Sequence, residues 1–195
     1  MDDPRLIEIS RAVAMHSPTS CERDGKLREA AVALIVRPRE QLELLLIKRA
    51  VHERDPWSGH IALPGGRRDA TDPDLIHTAI RETQEEVGIT LRRDGAFIGA
   101  LDELAPRNKR LPPLLIAPFV FGVDASISTT INAAEVEAAI WVPMSALRDE
   151  QAASEILIEL EGASRAFPSL KYGEHVIWGL THRILVQFLE LSKGL

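Results

Sequence analysis

The chain has 195 residues, of which 45% are hydrophobic and 27% charged, and its formal net charge is −6. This length can bury one sizeable core, and the composition excludes a disordered chain. The negative charge excludes a general attraction to nucleic acid or to anionic membranes, so phosphate binding would need a local basic cluster or a metal ion.

The N-terminus and the cysteine content indicate a cytoplasmic protein. The chain starts with the acidic stretch Met1-Asp2-Asp3-Pro4, where a signal peptide would be basic. No apolar run approaches the roughly 20 residues of a membrane span. Cys21 is the single cysteine, which excludes an intrachain disulfide, and we interpret it as an incidental thiol. We therefore expect no membrane partner and no nucleic-acid partner.

The first part of the chain predicts a helix and a β-hairpin. Apolar residues at helical spacing after Pro4 predict an amphipathic helix over about residues 4–16. Two nearly continuous apolar runs, 29–36 and 41–48, predict antiparallel strands inside a covered sheet. A long loop rich in glycine, proline and charge then occupies residues 51–73, interrupted by one short apolar stretch.

The clearest helix prediction follows this loop and runs from about residue 73 to 87. Asp72 suits the N-cap, Pro73 suits the first helical position, and Gly88 stands where a helix would end.

The remaining elements are mostly strands. We predict strands near 96–101, 114–123, 136–142, 155–160 and 175–178, a helical turn at Met144–Arg148, and a closing amphipathic helix over Leu180–Leu189. This order predicts one α/β domain over residues 1–195, with an N-terminal helix at about 4–16 and a core at about 29–190. The expected architecture is a mixed sheet between helices.

Three glutamates share one face of the predicted helix. Glu82, Glu85 and Glu86 are three and four residues apart, which places them side by side. Arg81 can pair with Glu85 one turn on, but it cannot neutralise all three carboxylates. Hard oxygen ligands of this kind suit Mg²⁺ or Mn²⁺. The alternative is a solvated acidic face, which the carboxylates alone would favour.

The loop before the helix favours the metal site. Leu63-Pro64-Gly65-Gly66 ends an apolar stretch in a sharp turn, and paired glycines let the backbone approach a ligand closely. Arg67 and Arg68 follow. A glycine turn, a basic loop and a carboxylate helix together suit a metal ion bound to phosphate.

The segment Arg81-Glu82-Thr83-Gln84-Glu85-Glu86-Val87-Gly88-Ile89 resembles the second half of the Nudix hydrolase signature, with Thr83 at an aliphatic position. Gly66 and Asp72 take the glycine and acidic positions of the first half if the loop carries one extra residue. That longer loop is similar to the coenzyme A pyrophosphatase branch.

An upstream element of that branch has a partial counterpart here. It consists of Leu45-Leu46-Ile47-Lys48-Arg49-Ala50, Arg54, Gly59 and Leu63-Pro64-Gly65-Gly66, where Ile47, Ala50 and Leu63 replace Thr, Ser and Phe. The resemblance spans about residues 29–190, and its most specific part is 81–89.

The resemblance implies a Nudix-like α/β/α sandwich with a mixed β-sheet, and hydrolysis of a pyrophosphate bond in a nucleotide derivative. The leading substrate is coenzyme A or acyl-coenzyme A, giving 4′-phosphopantetheine (or its acyl form) and adenosine 3′,5′-bisphosphate. Mg²⁺ or Mn²⁺ would be held by Glu82, Glu85 and Glu86, of which Glu82 and Glu86 are the preferred ligands.

The general base stays open between a helix glutamate and a later carboxylate. We choose Glu135 outside the helix, with Glu103 and Glu137 as weaker alternatives, so the catalytic set is Glu82, Glu85 and Glu135. A surface-loop position is an equal alternative for Glu135.

The expected substrate-binding set is Arg49, Arg54, Gly65, Gly66 and Arg67. Arginine offers bidentate contacts to phosphate, and surface pairing with nearby acids is the alternative role for these basic residues. For Trp57 we expect core packing, and for His60 a structural hydrogen bond.

Other functions remain as alternatives. The nearest is a pyrophosphatase for ADP-ribose, NADH or another nucleoside diphosphate derivative. A second is a non-catalytic nucleotide-sensing protein of the same family, which the complete glutamate set disfavours. An isomerase is disfavoured because Cys21 lies far from the glycine turn in the sequence. The resemblance also suggests a homodimer.

Overall fold

The computed structural model describes residues 3–23, 27–51, 58–106, 113–160 and 163–194. Its helices are α1 (Pro4–Met15), α2 (Leu75–Val87), α3 (Leu91–Asp94), α4 (Met144–Arg148) and α5 (Gly179–Leu191), with a 3₁₀ turn at Glu150–Ala152. Its strands are β1 (Arg28–Pro38), β2 (Leu42–Arg49), β3 (Ile61–Ala62), β4 (Gly65–Arg67), β5 (Gly95–Ala100), β6 (Leu114–Val123), β7 (Val136–Pro143), β8 (Ala153–Leu160), β9 (Ala163–Tyr172) and β10 (His175–Trp178).

Within the described residues, seven strands form one mixed sheet. Its main path is β3-β2-β1-β6-β5, while β4 pairs with β1 and β7 pairs with β2. Strands β1 and β6 run parallel and the other neighbours antiparallel. The predicted hairpin of β1 and β2 is confirmed, with Val36 opposite Leu44. A smaller antiparallel sheet has the order β10-β9-β8.

The core lies on both faces of the large sheet. Successive side chains of a strand point to opposite faces, so the continuous apolar run in β1 fills two separate clusters. Leu34 and Val36 pack with residues of α1 and α5. Ala33 and Ile35 pack with residues of α2. The predicted α/β/α arrangement is therefore confirmed.

Helix α2 starts two residues later than predicted. The proposed N-cap Asp72 and first helical residue Pro73 are wrong: Asp74 is the N-cap, and its carboxylate accepts a hydrogen bond of 2.9 Å from the backbone N–H of His77. The side chain of Asp72 is instead buried against Arg81. The predicted end is confirmed, because Gly88 takes the left-handed conformation with φ 72°.

The other predicted elements occur within two residues of their expected limits, whereas α3, β3, β4, β9 and the 3₁₀ turn were not predicted. Strand β9 contains Pro168 and lacks a clear alternating pattern, yet it pairs along its length with β8 and β10. Trp57 lies outside the described residues. None of the described helices is long and apolar enough to cross a membrane.

Candidate active site

Three glutamates converge where α2 meets the start of β7. One carboxylate oxygen from each of Glu82, Glu86 and Glu135 lies within 4.8 Å of the other two, and we call these residues the acidic group. Glu82 and Glu86 are one turn apart on α2, while Glu135 directly precedes β7. The tertiary fold thus adds a carboxylate that is about fifty residues away in sequence.

The glycine turn packs directly against this group. The backbone N–H of Gly65 donates a hydrogen bond of 2.8 Å to Oε2 of Glu86. A Cβ on Gly65 would lie 2.2 Å from the carbonyl oxygen of Ala31 in β1, and a Cβ on Gly66 would lie 2.5 Å from the carboxylate carbon of Glu82. A side chain at Gly65 would therefore collide with the β1 backbone, and one at Gly66 would displace the Glu82 carboxylate.

Burial makes the two helix carboxylates of the group hard to ionise. Glu86 is 2% exposed, and burial raises its pKa to about 8, with the neighbouring Glu82 adding to the effect and the Gly65 N–H opposing it. Burial also raises the pKa of Glu82, against the opposing influence of Arg81. A nearby positive charge would stabilise the ionised form of both carboxylates. These oxygen donors therefore fit a hard divalent cation such as Mg²⁺ or Mn²⁺.

Arg81 connects the helix to the preceding loop. Its guanidinium donates to both carboxylate oxygens of Asp72 at 3.1 and 3.0 Å and to the carbonyl oxygen of Arg67 at 3.1 Å. It also pairs with Glu82 at 3.0 Å and with Glu85 at 2.8 Å. These contacts lower the pKa of Asp72 to about 2, chiefly through the hydrogen bonds from Arg81. The loop is thereby fixed to the face of α2 that carries the acidic group.

Glu85 lies outside the acidic group. Its side chain is 49% exposed and is paired with Arg81. The assignment of Glu85 as a metal ligand and catalytic residue stays a prediction. The alternative bases Glu103 and Glu137 are also outside the group: Arg23 donates to Glu103 at 2.6 Å, and Lys48 donates to Glu137 at 2.6 Å.

The predicted substrate-binding arginines take different positions. Arg49 is half-buried, and its positive charge lowers the pKa of Glu86. Arg67 is exposed, and its carbonyl is held by Arg81. Arg68 pairs with Glu29 at 2.8 Å. Arg54 lies outside the described residues.

An aromatic strip adjoins Arg49. The backbone N–H of Arg49 donates to the carbonyl of His60, whose ring stands edge-on to Trp178 with 5.2 Å between centroids. Phe167 of β9 lies 6.1 Å from the same indole. All three rings are half-buried. The sequence pattern missed Phe167 because β9 was not predicted, and it missed Trp178 because no local pattern brings its predicted strand next to His60.

Asn132 is a further residue that sequence reasoning missed. Its side-chain Nδ2 donates a hydrogen bond of 3.0 Å to Oε1 of Glu135. The available signal was an amide side chain three residues before the carboxylate, which is a weak pattern because such spacing is common in turns.

The family model described as NUDIX domain matches residues 26–160 of the chain. An uncharacterized Nudix hydrolase NudL of Photorhabdus laumondii is 32% identical over 163 residues, which cover 84% of each chain. A NudL of Yersinia pestis is 34% identical over 81% of this chain and 76% of that protein. An uncharacterized protein of Schizosaccharomyces pombe is 47% identical over 107 residues. The matched segment covers 53% of this chain and only 32% of that longer protein.

Solved structures show the same fold. A MutT/nudix family protein from Enterococcus faecalis superposes with a TM-score of 0.58 at 16% identity, covering 95% of this chain and 69% of the other. The NUDIX domain of Shewanella oneidensis NrtR, solved with ADP ribose, gives 0.50 at 20% identity over 74% and 85%. An Ap4A hydrolase of Caenorhabditis elegans gives 0.51 at 22% identity over 61% and 82%.

Proposed function

The chain belongs to the Nudix hydrolase family, and on that premise we propose that it cleaves the pyrophosphate bond of coenzyme A or acyl-coenzyme A in the presence of Mg²⁺ or Mn²⁺. The products would be 4′-phosphopantetheine, or its acyl form, and adenosine 3′,5′-bisphosphate. The observation that carries the proposal is the acidic group itself, whose three carboxylates converge beside the glycine turn and offer the oxygen ligands of a divalent cation.

A pyrophosphate resists attack by water because its negative charge repels the nucleophile. A bound divalent cation would neutralise phosphate oxygens and make a coordinated water more acidic. Glu82 and Glu86 would hold the cation, with the Gly65 N–H fixing the carboxylate of Glu86. Glu85, the third helix carboxylate of the sequence prediction, is exposed and would contribute less.

Glu135 is the proposed general base. It is the exposed member of the acidic group, and its Oε1 is held by Asn132, which leaves Oε2 available to accept a proton from water. The water oxygen would form a bond to one phosphorus, and the bond from that phosphorus to the bridging oxygen would break. The bridging oxygen would leave with the other phosphate, and the proton would stay on Glu135.

Cations and backbone near the acidic group would bind the substrate phosphates. The positive charge of Arg49 acts on Glu86, and the Gly65-Gly66 backbone lies against the group. Arg67 begins the loop beyond the turn, and Arg54 belongs to the same proposed set. The phosphate that distinguishes coenzyme A from simpler nucleotides would pair with one of these arginines.

The aromatic strip supports a substrate with an uncharged arm. The strip consists of three half-buried rings, those of Phe167, Trp178 and His60. Its His60 end is joined to Arg49 by a backbone hydrogen bond. A pantetheine or acylated pantetheine arm could lie along this surface while the diphosphate stays at the acidic group. The competing substrate class is a nucleoside diphosphate sugar, since a NUDIX domain of the same fold was solved with ADP ribose.

Product identification tests the substrate. The protein would be incubated with coenzyme A, acetyl-coenzyme A, ADP-ribose, NADH and Ap4A, with Mg²⁺, Mn²⁺ or a chelator, and the products identified by mass spectrometry. We expect adenosine 3′,5′-bisphosphate from the coenzyme A compounds, at a kcat/KM at least about tenfold above that of the others. Turnover of ADP-ribose or NADH without turnover of coenzyme A would overturn this substrate assignment.

Turnover of the wild type and of two variants distinguishes an enzyme from a nucleotide sensor. Glu86→Gln removes one charge and almost no volume from the acidic group, so it should abolish most turnover while the fold persists. Glu155→Gln makes the same chemical change at an exposed position of β8 and should leave turnover unchanged. Tight nucleotide binding by the wild-type protein without turnover in saturating Mg²⁺ or Mn²⁺ would favour a sensor.

We further propose that residues 1–195 act as one hydrolase domain and that two copies associate. Light scattering coupled to size-exclusion chromatography measures the mass directly, and a mass near 21.6 kDa, that of one chain, would contradict the dimer.

A further inference from the structure

We propose that Asn132 is a positioning residue that holds the carboxylate of Glu135 in the acidic group. This inference deepens the proposed function, on which its kinetic readout rests. Asn132 is half-buried and Glu135 is exposed, and the two are joined by the 3.0 Å hydrogen bond from Nδ2 to Oε1. An exposed glutamate without such a contact would sample several rotamers and spend much of its time away from the other two carboxylates.

The backbone of this segment is tied to the helix that carries the other two glutamates. The last carbonyls of a helix have no partner within the helix. Here the N–H of Thr130 donates to the carbonyl of Val87 at 2.9 Å, and the N–H of Asn132 donates to the carbonyl of Glu86 at 3.0 Å. A Cβ on Gly88 would lie 3.1 Å from the carbonyl oxygen of Thr130, so glycine at this cap gives the segment room to approach.

A third bond fixes the other end of the segment. The N–H of Ala50, just after β2, donates to the carbonyl of Glu135 at 2.8 Å. The backbone on either side of the Asn132 side chain is thus held by α2 and by the end of β2. What the backbone leaves free is the rotation of the Glu135 side chain, and Asn132 restricts that rotation.

The oxygen and the nitrogen of the Asn132 amide form hydrogen bonds with different partners. Its Oδ1 accepts a hydrogen bond from the N–H of Ala134 at 3.2 Å, and its Nδ2 donates to Glu135. The reverse orientation would set an oxygen against a carboxylate and an NH₂ against an N–H, so the turn selects the orientation that serves Glu135.

A neutral donor suits this position better than a cation. Arginine or lysine next to Glu135 would cancel the negative charge that attracts a divalent ion and would lower the basicity of the carboxylate. The amide orients Glu135 and leaves its charge in place. Elsewhere in the site a cation does contact carboxylates: Arg81 forms ion pairs with Asp72, Glu82 and Glu85.

Asn132→Ser separates the two contacts of the amide. A serine hydroxyl can still accept from the N–H of Ala134, which keeps the turn, but it is too short to reach Glu135. We expect kcat to fall about tenfold with KM for substrate unchanged, because one hydrogen bond to a charged group is lost. The exposed Gln151→Ser variant makes a matched amide-to-hydroxyl change outside the acidic group and should keep wild-type kinetics.

A double-mutant cycle with Glu135→Gln tests whether Asn132 acts through Glu135. The wild type, Asn132→Ser, Glu135→Gln and the double variant are compared in kcat and in Mn²⁺ affinity by electron paramagnetic resonance. We expect the double variant to equal Glu135→Gln in kcat, since Asn132 has no further role once Glu135 is altered. A purely structural role would multiply the two losses instead.

The two readouts keep this inference distinct from the proposed function. Loss of kcat in Asn132→Ser that persists at full size in the Glu135→Gln background would overturn it, and so would wild-type kcat and Mn²⁺ affinity in Asn132→Ser. If the wild type binds Mn²⁺ but turns over none of the tested substrates, the proposed function fails. In that case the Mn²⁺ affinities of the four proteins still decide the role of Asn132.

Discussion

Replacing Glu86 by Gln should stabilise the metal-free protein while it removes activity. Glu86 is 2% exposed, and burial together with the adjacent Glu82 disfavours its charged form. Glutamine has nearly the same shape and keeps an oxygen that can accept from the N–H of Gly65. It carries no charge, so the penalty of ionising a buried carboxylate disappears.

The magnitude follows from the raised pKa. An ordinary glutamate ionises near 4.5 and Glu86 near 8, so keeping Glu86 ionised in the metal-free fold costs at most about 5 kcal/mol. Because the folded-state pKa is the higher one, stability from this group is fully present below about pH 4.5 and is lost as the pH rises through about 8. Glutamine does not titrate, so the advantage of Glu86→Gln should grow over this range.

Thermal unfolding in a chelator, measured by circular dichroism between pH 5 and 8.5, checks the expectation. At pH 8 we expect Glu86→Gln to be more stable than the wild type by about 2 to 4 kcal/mol, a Tm rise of about 5 to 10 °C. Near pH 5 the two should converge. Saturating Mn²⁺ should stabilise the wild type and not the variant, which reverses their order.

The exposed Glu155→Gln variant serves as the control and should match the wild type at every pH. The reasoning is refuted if Glu86→Gln is less stable than the wild type in chelator at pH 8. That result would mean that Glu86 is ionised in the fold without penalty, and that the acidic group does not depend on a cation to offset its charge.

Three further variants test other contacts of the site. Gly66→Ala should lower kcat at least about tenfold in a steady-state assay. The added Cβ would lie 2.5 Å from the carboxylate carbon of Glu82 and would displace that carboxylate. An unchanged kcat would show that Glu82 can move without loss of activity. Asp72→Asn should remove up to about 2 kcal/mol at neutral pH, measured by urea unfolding. The lowered pKa of Asp72, about 2, means that the wild type loses this advantage as the pH falls from about 4 to about 2; equal stability of the two at pH 7 would contradict the buried ion pair. Glu135→Gln should weaken Mn²⁺ binding about tenfold or more in a calorimetric titration, and Glu85→Gln less than about threefold, since Glu85 is already paired with Arg81. The opposite ranking would favour the predicted ligand set of Glu82, Glu85 and Glu86.

We expect function and stability to oppose each other in this site. Glu86 is buried and Glu82 half-buried against the glycine turn, where burial and their mutual repulsion disfavour the ionised forms. The same placement brings their carboxylates together as ligands for a divalent ion. A less buried pair would fold more easily and bind the ion less firmly.

Local sequence determined the parts of this protein whose residues are close together in the chain. The run of carboxylates on α2 follows from the helical repeat, and Gly88 ends the helix because it tolerates a left-handed conformation. The hairpin of β1 and β2 follows from two apolar runs joined by a short polar turn. Glu82 and Glu86 were therefore predictable as neighbours, and the glycine turn as the backbone beside them.

The family resemblance singles out Glu135, but only the tertiary structure shows how it and other groups reach the helix carboxylates. Glu135 meets the helix carboxylates because loop 130–135 binds the end of α2, an arrangement that no local pattern encodes. Asp72 had the composition of an N-cap, but burial beside Arg81 gave it an ion pair and left capping to Asp74. Strand β9 forms through its partners on both sides and not through its own propensity. In these three cases, contacts between different segments of the chain determine the structure.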